Sequence, residues 1–248
     1  MTLNEFFNEY PRVALAFSGG VDSAYRLASA VRAGAEVKAY YVKSAFQPEF
    51  ELQDALRLAE ELKAPMQVLP ADVLCDPKIT ENPGNRCYYC KQRIFRRILE
   101  AAREDGYSVI LDGTNASDDS ADRPGMRALE ELRVLSPLRL CGLTKDQIRE
   151  ESRKAGLFTW DKPAYACLAT RIPAGERITA EKLAHTEQAE AYLFSLGFRD
   201  FRVRSMGDAA KLQLNQRDLA RFPEYREDIL KTLRQYYRSV LLDLEVRR

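Results

Sequence analysis

The run Ser18-Gly19-Gly20-Val21-Asp22-Ser23 constrains this chain more than any other six residues. It follows the apolar run Val13-Ala14-Leu15-Ala16-Phe17 and opens a helical pattern that reaches about Ala33. A short apolar run, a Gly-Gly turn and a 3.6-residue period read as a buried parallel strand turning sharply into a helix. Glycines let the backbone approach an anion closely and adopt positive φ. The unpaired amides of the first helical turn, with the helix dipole, then favour negative charge there. Ser18 and Ser23 add hydroxyl donors, and Asp22 offers a carboxylate able to reach a phosphate-bound Mg²⁺. No Gly-Lys-Ser/Thr follows, so this is not a Walker A loop, and the spacing is not GxGxxG.

Beyond that turn, strands are predicted at 36–42, 66–69, 107–111 and 133–135. Helices are predicted at 3–9, 49–63, 86–103 and 144–155, and residues 70–85, with three prolines and a glycine, as a loop. Strands alternating with helices give an α/β fold, a parallel sheet flanked on both faces. Ligands in such sheets lie beyond the carboxyl ends of the strands. The Ser18 loop, Ser44, the Asp112-Gly113-Thr114-Asn115 loop and the loop after 135 are therefore expected to gather at one edge. From about 156 the pattern changes to an ordered loop, a helix at 179–196, a hairpin of 201–204 with 211–214, a helix at 224–237 and a strand at 239–244. We read 1–173 as a nucleotide-binding domain with a cysteine-bearing loop, and 174–248 as a small α+β domain.

At 248 residues, 46% hydrophobic and 30% charged, the composition is that of an ordinary soluble protein. A net charge of +1 gives no global field for nucleic acid. No signal peptide is read in MTLNEFFNEYPR and no run approaches the length of a membrane span, so a cytoplasmic location without membrane attachment is expected. Five cysteines, 75, 87, 90, 141 and 167, argue against a disulfide framework. Cys87-x-x-Cys90, at a helix start that would stabilise thiolates, could be a zinc half-site, a redox pair or two ligands of an iron–sulfur cluster. Cys167 is the third thiol of interest. Three cysteines without a fourth suit a [4Fe-4S] cluster with one open iron, whereas structural zinc would need a fourth ligand such as His185, the one histidine. Cys75 and Cys141 are read as small buried hydrophobes.

SGGxDS after a first strand resembles the pyrophosphate loop of the PP-loop ATP pyrophosphatases, which split ATP between its α and β phosphates to adenylate a substrate. Further runs resemble one family in particular: Asp112-Gly113-Thr114-Asn115, Arg123-Pro124-Gly125, Ser136-Pro137-Leu138, Gly142-Leu143-Thr144-Lys145, Lys162-Pro163-Ala164, Ala166-Cys167-Leu168-Ala169-Thr170-Arg171-Ile172-Pro173-Ala174-Gly175 and Arg202-Val203-Arg204. In order, and over almost the whole chain, they are similar to LarE, the sulfur insertases that build the nickel-pincer nucleotide of lactate racemase.

The resemblance implies an adenine-nucleotide-hydrolase-like (Rossmann-like) PP-loop domain, ATP with Mg²⁺ held by Asp22, and a pyridinium biscarboxylic acid mononucleotide as substrate. The nucleotide would contact Ser18, Gly19, Gly20, Val21, Ser23, Ser44, Gly113 and Arg123. In single-cysteine members the cysteine at the position of Cys167 gives up its own sulfur and becomes dehydroalanine. This chain departs from that pattern by carrying Cys87 and Cys90 too, and so resembles three-cysteine members with a [4Fe-4S] cluster. Arg202 and Arg204, alternating on a strand, offer planar forks for phosphate or carboxylate; as plain surface arginines they would do neither. Arg171 is a further candidate for the substrate phosphate, and Glu190 matches a glutamate position of the family. A sulfur-donating partner and a homo-oligomer are also implied. The competing readings are a PP-loop [4Fe-4S] tRNA thiolase, against which the near-zero net charge weighs, and a nucleotide sensor without catalysis.

Overall fold

The apolar run ahead of the glycine turn lies inside a parallel sheet. The computed structural model describes residues 1–118 and 124–247, and its chain divides into two compact units. The first, Met1–Val73 with Asn85–Lys162, runs α1 (Leu3–Glu9), β1 (Arg12–Ala16), α2 (Val21–Arg32), β2 (Glu36–Lys43), α3 (Glu49–Glu61) and β3 (Met66–Pro70). After α4 (Pro77–Thr80), which belongs to the other unit, come α5 (Arg86–Glu104), β4 (Ile110–Leu111), α6 (Pro124–Glu131), α7 (Pro137–Leu140) and α8 (Lys145–Lys154). The sheet order is β3-β2-β1-β4, all parallel, with Leu135 bridging Leu111 at the edge. This is the expected α/β architecture.

Strand alternation divides the core in two. Val13 and Leu15 enter one cluster with α1, α2, α3 and α8, while Ala14 enters the other with α5 and α6. Apolar residues are therefore needed at consecutive positions, which is why β1 reads as an unbroken run. The segment 107–111 is strand only over its last two residues, and 133–135 contributes a single bridge. Neither α6 nor α7 was expected. Within 70–85, Asp76 caps the four-residue α4, with Pro77 at its first position.

The second unit, Leu74–Gly84 with Pro163–Arg248, holds α4, a 3₁₀ turn at Leu168–Arg171, α9 (Ala180–Ser195), β5 (Arg202–Met206), β6 (Ala209–Gln213), α10 (Gln216–Leu233) and β7 (Ser239–Leu242). β5 and β6 form the expected hairpin, and β7 joins β6 in parallel. The division falls at 162/163 rather than at the expected 173/174. Arg171 is buried against Glu190 of α9, and residues 172–178 bond to α4 and its exit: Gly175 N–H donates to Asn82 O and Ile178 N–H to Thr80 O. Residues 163–173 thus belong to this unit.

The helix expected from 224 begins eight residues earlier, with Pro223 inside it. A mid-helix proline normally ends a helix, but the start here is held from outside. Asn215 accepts the Asp218 amide at 2.9 Å and donates to Arg199 O at 2.8 Å. Buried Asp218 in turn accepts the Arg199 amide at 2.8 Å. Replacing Asn215 by Ala is expected to lower stability by about 1–2 kcal/mol, read as the shift in urea midpoint at unchanged m-value.

Candidate active site

Between β1 and α2 the chain turns through Gly19 and Gly20. Gly19 sits at φ +71°, and a Cβ there would come 3.0 Å from the Ala55 backbone nitrogen. Gly20 is the N-cap of α2 and no side chain caps that helix, the arrangement in which a helix start can take an anion. Ser23 Oγ donates to Gly20 O at 2.9 Å and lies 3.2 Å from Ser18 Oγ, which steadies the loop. Val21, the first helical residue, is buried, so it offers its backbone rather than its side chain.

This loop borders a cavity of about 400 Å³, a size suited to a small ligand. Its polar lining comes from Ser18, Gly20, Asp22 and Ser23, from Asp112 to Thr114 at the exit of β4, and from Gln47, Lys91 and Asp118; β2 and α5 give apolar lining, including Tyr40, Val42, Ile94, Phe95 and Ile98. The strand exits meet as expected: a Cβ on Gly113 would lie 3.7 Å from Asp22 Cβ, and Ser136 Oγ donates to Asp112 Oδ1 at 2.6 Å. Thr114 Oγ1 donates to the other Asp112 oxygen. Ser44 does not line the cavity; its hydroxyl donates to Gln47 Oε1 at 2.7 Å, and Gln47 does. Arg123 lies outside the described residues.

Two basic residues here escaped sequence reasoning. Arg26, on α2, is wholly buried; it donates to Ala16 O at 2.6 Å, while its Nε and Nη1 find no partner among the described residues. Burial pulls its pKa down to about 10, against the opposing pull of Asp112 and Asp22. Lys145, at the first position of α8, places Nζ 2.5 Å from Asp22 Oδ2, and Asn115 Nδ2 lies 3.4 Å from Oδ1. A buried arginine spaced four residues from Asp22 looks like any helix-face charge in sequence. For Lys145 the only signal was its place in the Gly142–Lys145 run.

In the second unit three arginines converge on the cysteine loop. Arg202 donates to Ala164 O, Arg171 to Ala166 O at 3.0 Å, and Arg204 to Thr170 O at 2.8 Å, so Cys167 is bracketed on both sides. Glu190 is 1% exposed, not a surface charge. It binds Arg171 through both oxygens at 2.8 and 3.1 Å and accepts Tyr165 Oη and the Val203 amide. Tyr165 lies beneath Arg171 and Arg202, 4.5 and 5.4 Å from ring centre to guanidinium carbon. Burial, then repulsion from Arg171 and Arg247, lowers Arg202 to about 10 and pushes Arg204 down as well. Burial also acts to lower Arg171, but the Glu190 carboxylate outweighs it and the pKa is raised. Neither strand arginine is a solvated surface charge.

Cys87 and Cys90 lie about one turn apart at the start of α5 in the first unit, one exposed and one half-buried, and Arg86 Nη2 lies 3.8 Å from Cys87 Sγ. Spacing, accessibility and a cationic neighbour fit cluster or metal ligation by this pair; Cys167 belongs to the second unit. Among the described residues no three His, Cys, Asp or Glu side chains stand together as a metal site, and His185 packs against Tyr236 at 5.4 Å. None of the five cysteines is in a disulfide. Cys141 is half-buried and its thiol is pushed up by burial, but Cys75 is exposed and so not the small core residue expected, because it falls in the turn just before α4.

No family model matches the chain. It is 36% identical over 98% of its length to the uncharacterized protein slr1717 of Synechocystis sp., 92% of which is covered. It is 32% identical, again over 98% of its length and 89% of the relative's, to the pyridinium-3,5-bisthiocarboxylic acid mononucleotide synthase of Lactiplantibacillus plantarum. The chain belongs to the LarE family. A tRNA-specific 2-thiouridylase of Frankia alni is 29% identical over 61% of this chain and 53% of its own length. Among the described residues no helix is long and apolar enough to cross a membrane.

Within this LarE-family chain the Arg171–Glu190 pair is the most committed polar contact near Cys167. Removing one partner leaves a buried charge uncompensated. Glu190→Ala should therefore cost about 3–5 kcal/mol in chemical denaturation, and Glu190→Gln, which removes the charge but keeps one acceptor oxygen for Arg171 Nε and the Val203 amide, part of that.

Proposed function

We propose that the chain is an ATP-dependent sulfur transferase acting on pyridinium-3,5-biscarboxylic acid mononucleotide. A substrate carboxylate oxygen attacks the α-phosphorus of ATP, the bond to the β-phosphate breaks, and pyrophosphate leaves. Sulfur then attacks the acyl carbon, a C–S bond forms, and AMP departs, leaving a thiocarboxylate. Adenylation is needed because a carboxylate's own leaving group would be oxide. The observation that carries this reading is the uncapped SGGVDS turn bordering a cavity with Asp22 in its wall. The thiocarboxylate named in the L. plantarum relative supports the second half.

In this reading the amides of Gly19, Gly20 and Val21 and the hydroxyls of Ser18 and Ser23 hold the departing pyrophosphate. Asp22 holds Mg²⁺, while Gly113 and Arg123 complete the nucleotide side and Ser44 acts through Gln47, which lines the cavity. Cys87, Cys90 and Cys167 would hold a [4Fe-4S] cluster, which when bound would supply a sulfide-carrying iron; without it Cys167 Sγ attacks the acyl carbon to give a thioester, and loss of the Cys167 α-proton then breaks its Cβ–Sγ bond, leaving dehydroalanine and the thiocarboxylate. Arg202 and Arg204 orient the substrate's anionic groups and keep the Cys167 loop in place, and Glu190 positions Arg171 and Tyr165. A sulfur-donating partner restores the donor, and assembly as a homo-oligomer in the cytoplasm completes the reading.

With ATP, Mg²⁺ and the biscarboxylic mononucleotide, wild type should release pyrophosphate and form thiocarboxylate. Asp22→Ala should slow pyrophosphate release about 100-fold or more. Cys167→Ala should keep it and lose the thiocarboxylate; thiocarboxylate at the wild-type rate would remove Cys167 from the reaction. A separate expectation concerns the metal. Protein purified without oxygen should be brown, with about four irons per chain, whereas colourless protein with one zinc would sink the cluster.

A further inference from the structure

Lys145 stands where positive charge at a helix start is least favourable. It is the first residue of α8, whose N-terminal dipole repels a cation. Its ammonium nevertheless reaches Asp22 at 2.5 Å, across 123 residues of sequence, with about a third of the lysine side chain still exposed. The carboxylate it binds is the one in the wall of the cavity beside the phosphate loop, where Asp112 and Asp118 also contribute lining.

We propose that Lys145 is an exchangeable counter-ion for Asp22: it neutralises the carboxylate before nucleotide binds, yields it to Mg²⁺ when the metal–nucleotide enters, and then pairs with phosphate. This rests on the reading of the loop as a Mg²⁺–ATP site. A divalent ion carries twice the charge and favours hard oxygen ligands, so it outcompetes one ammonium for the same carboxylate. A triphosphate offers the displaced ammonium a stronger, charge-assisted partner, so the lysine changes partner rather than losing one. The ammonium is a compact charge on a four-carbon stem with rotatable donors, which suits a group that must move between partners. A capping box between Thr144 and Gln147 holds the start of α8, so the helix does not need the lysine's contact to form.

The exchange predicts effects of opposite sign from one substitution. In Lys145→Met, which keeps an unbranched stem, Asp22 loses its competitor, so Mn²⁺ alone should bind about three- to tenfold more tightly than to wild type, by electron paramagnetic resonance of free Mn²⁺. The same variant should bind Mg²⁺ with α,β-methylene-ATP, which cannot be split, about tenfold more weakly by calorimetry. Lys145→Arg should return Mn²⁺ affinity to near the wild-type value. A merely structural lysine would weaken both bindings in the Met variant, and that result overturns the proposal. So does Mn²⁺ affinity that is unchanged in it. Both arms read binding alone, so a failure of sulfur transfer would count against the proposed reaction and not against the exchange at Lys145.

Discussion

The first unit's chemistry depends on one close approach: the backbone of Gly19 against the backbone of α3 at Ala55, at a φ of +71°. A side chain there would meet main-chain atoms that cannot swing aside, in a conformation L-residues seldom adopt. With glycine in place the chain leaves β1, reverses within a few residues and aims the start of α2 at the cavity. The uncapped Gly20, the Ser18–Ser23 pair and the position of Asp22 all follow from that turn. Arg26 adds a buried positive charge one turn further along α2, with Asp22 and Asp112 as the carboxylates that oppose its deprotonation.

The second unit solves a different problem, presenting one sulfur atom on an irregular loop. Backbone carbonyls in such a loop need donors, and here three guanidiniums supply them at Ala164, Ala166 and Thr170. Packing three like charges together is tolerable because Glu190 is buried among them and the Tyr165 ring faces two. The depressed pKa of Arg202 records its burial first, and then the repulsion of Arg171 and Arg247. An electropositive surround is also what a thiolate or sulfide donor requires.

Much of this is legible in the chain alone. The unbroken apolar β1, the glycine turn and the amphipathic helices are local patterns, and with the cysteine spacing they identify the parallel α/β unit, the turn that opens α2 and the cysteines of interest. Arg202 and Arg204 are legible as forks but not as loop clamps, since their carbonyl partners lie more than thirty residues away. The start of α10 is hidden by Pro223, because its cap is secured by Arg199 on the far side of the hairpin.

What the amino-acid sequence determined by itself was residue chemistry and short-range geometry: a glycine turn opening a helix, a CxxC on a helix start, a third cysteine between Ala166 and Leu168, and membership of a family whose pattern they share. Only the tertiary structure decided which charges meet. Lys145 with Asp22, Arg26 beneath the loop and Glu190 with Arg171 join residues that are distant in sequence or look like ordinary helix-face charges. The physical reason is burial: a charge's partner and cost depend on what surrounds it in space, and neither periodicity nor spacing records that.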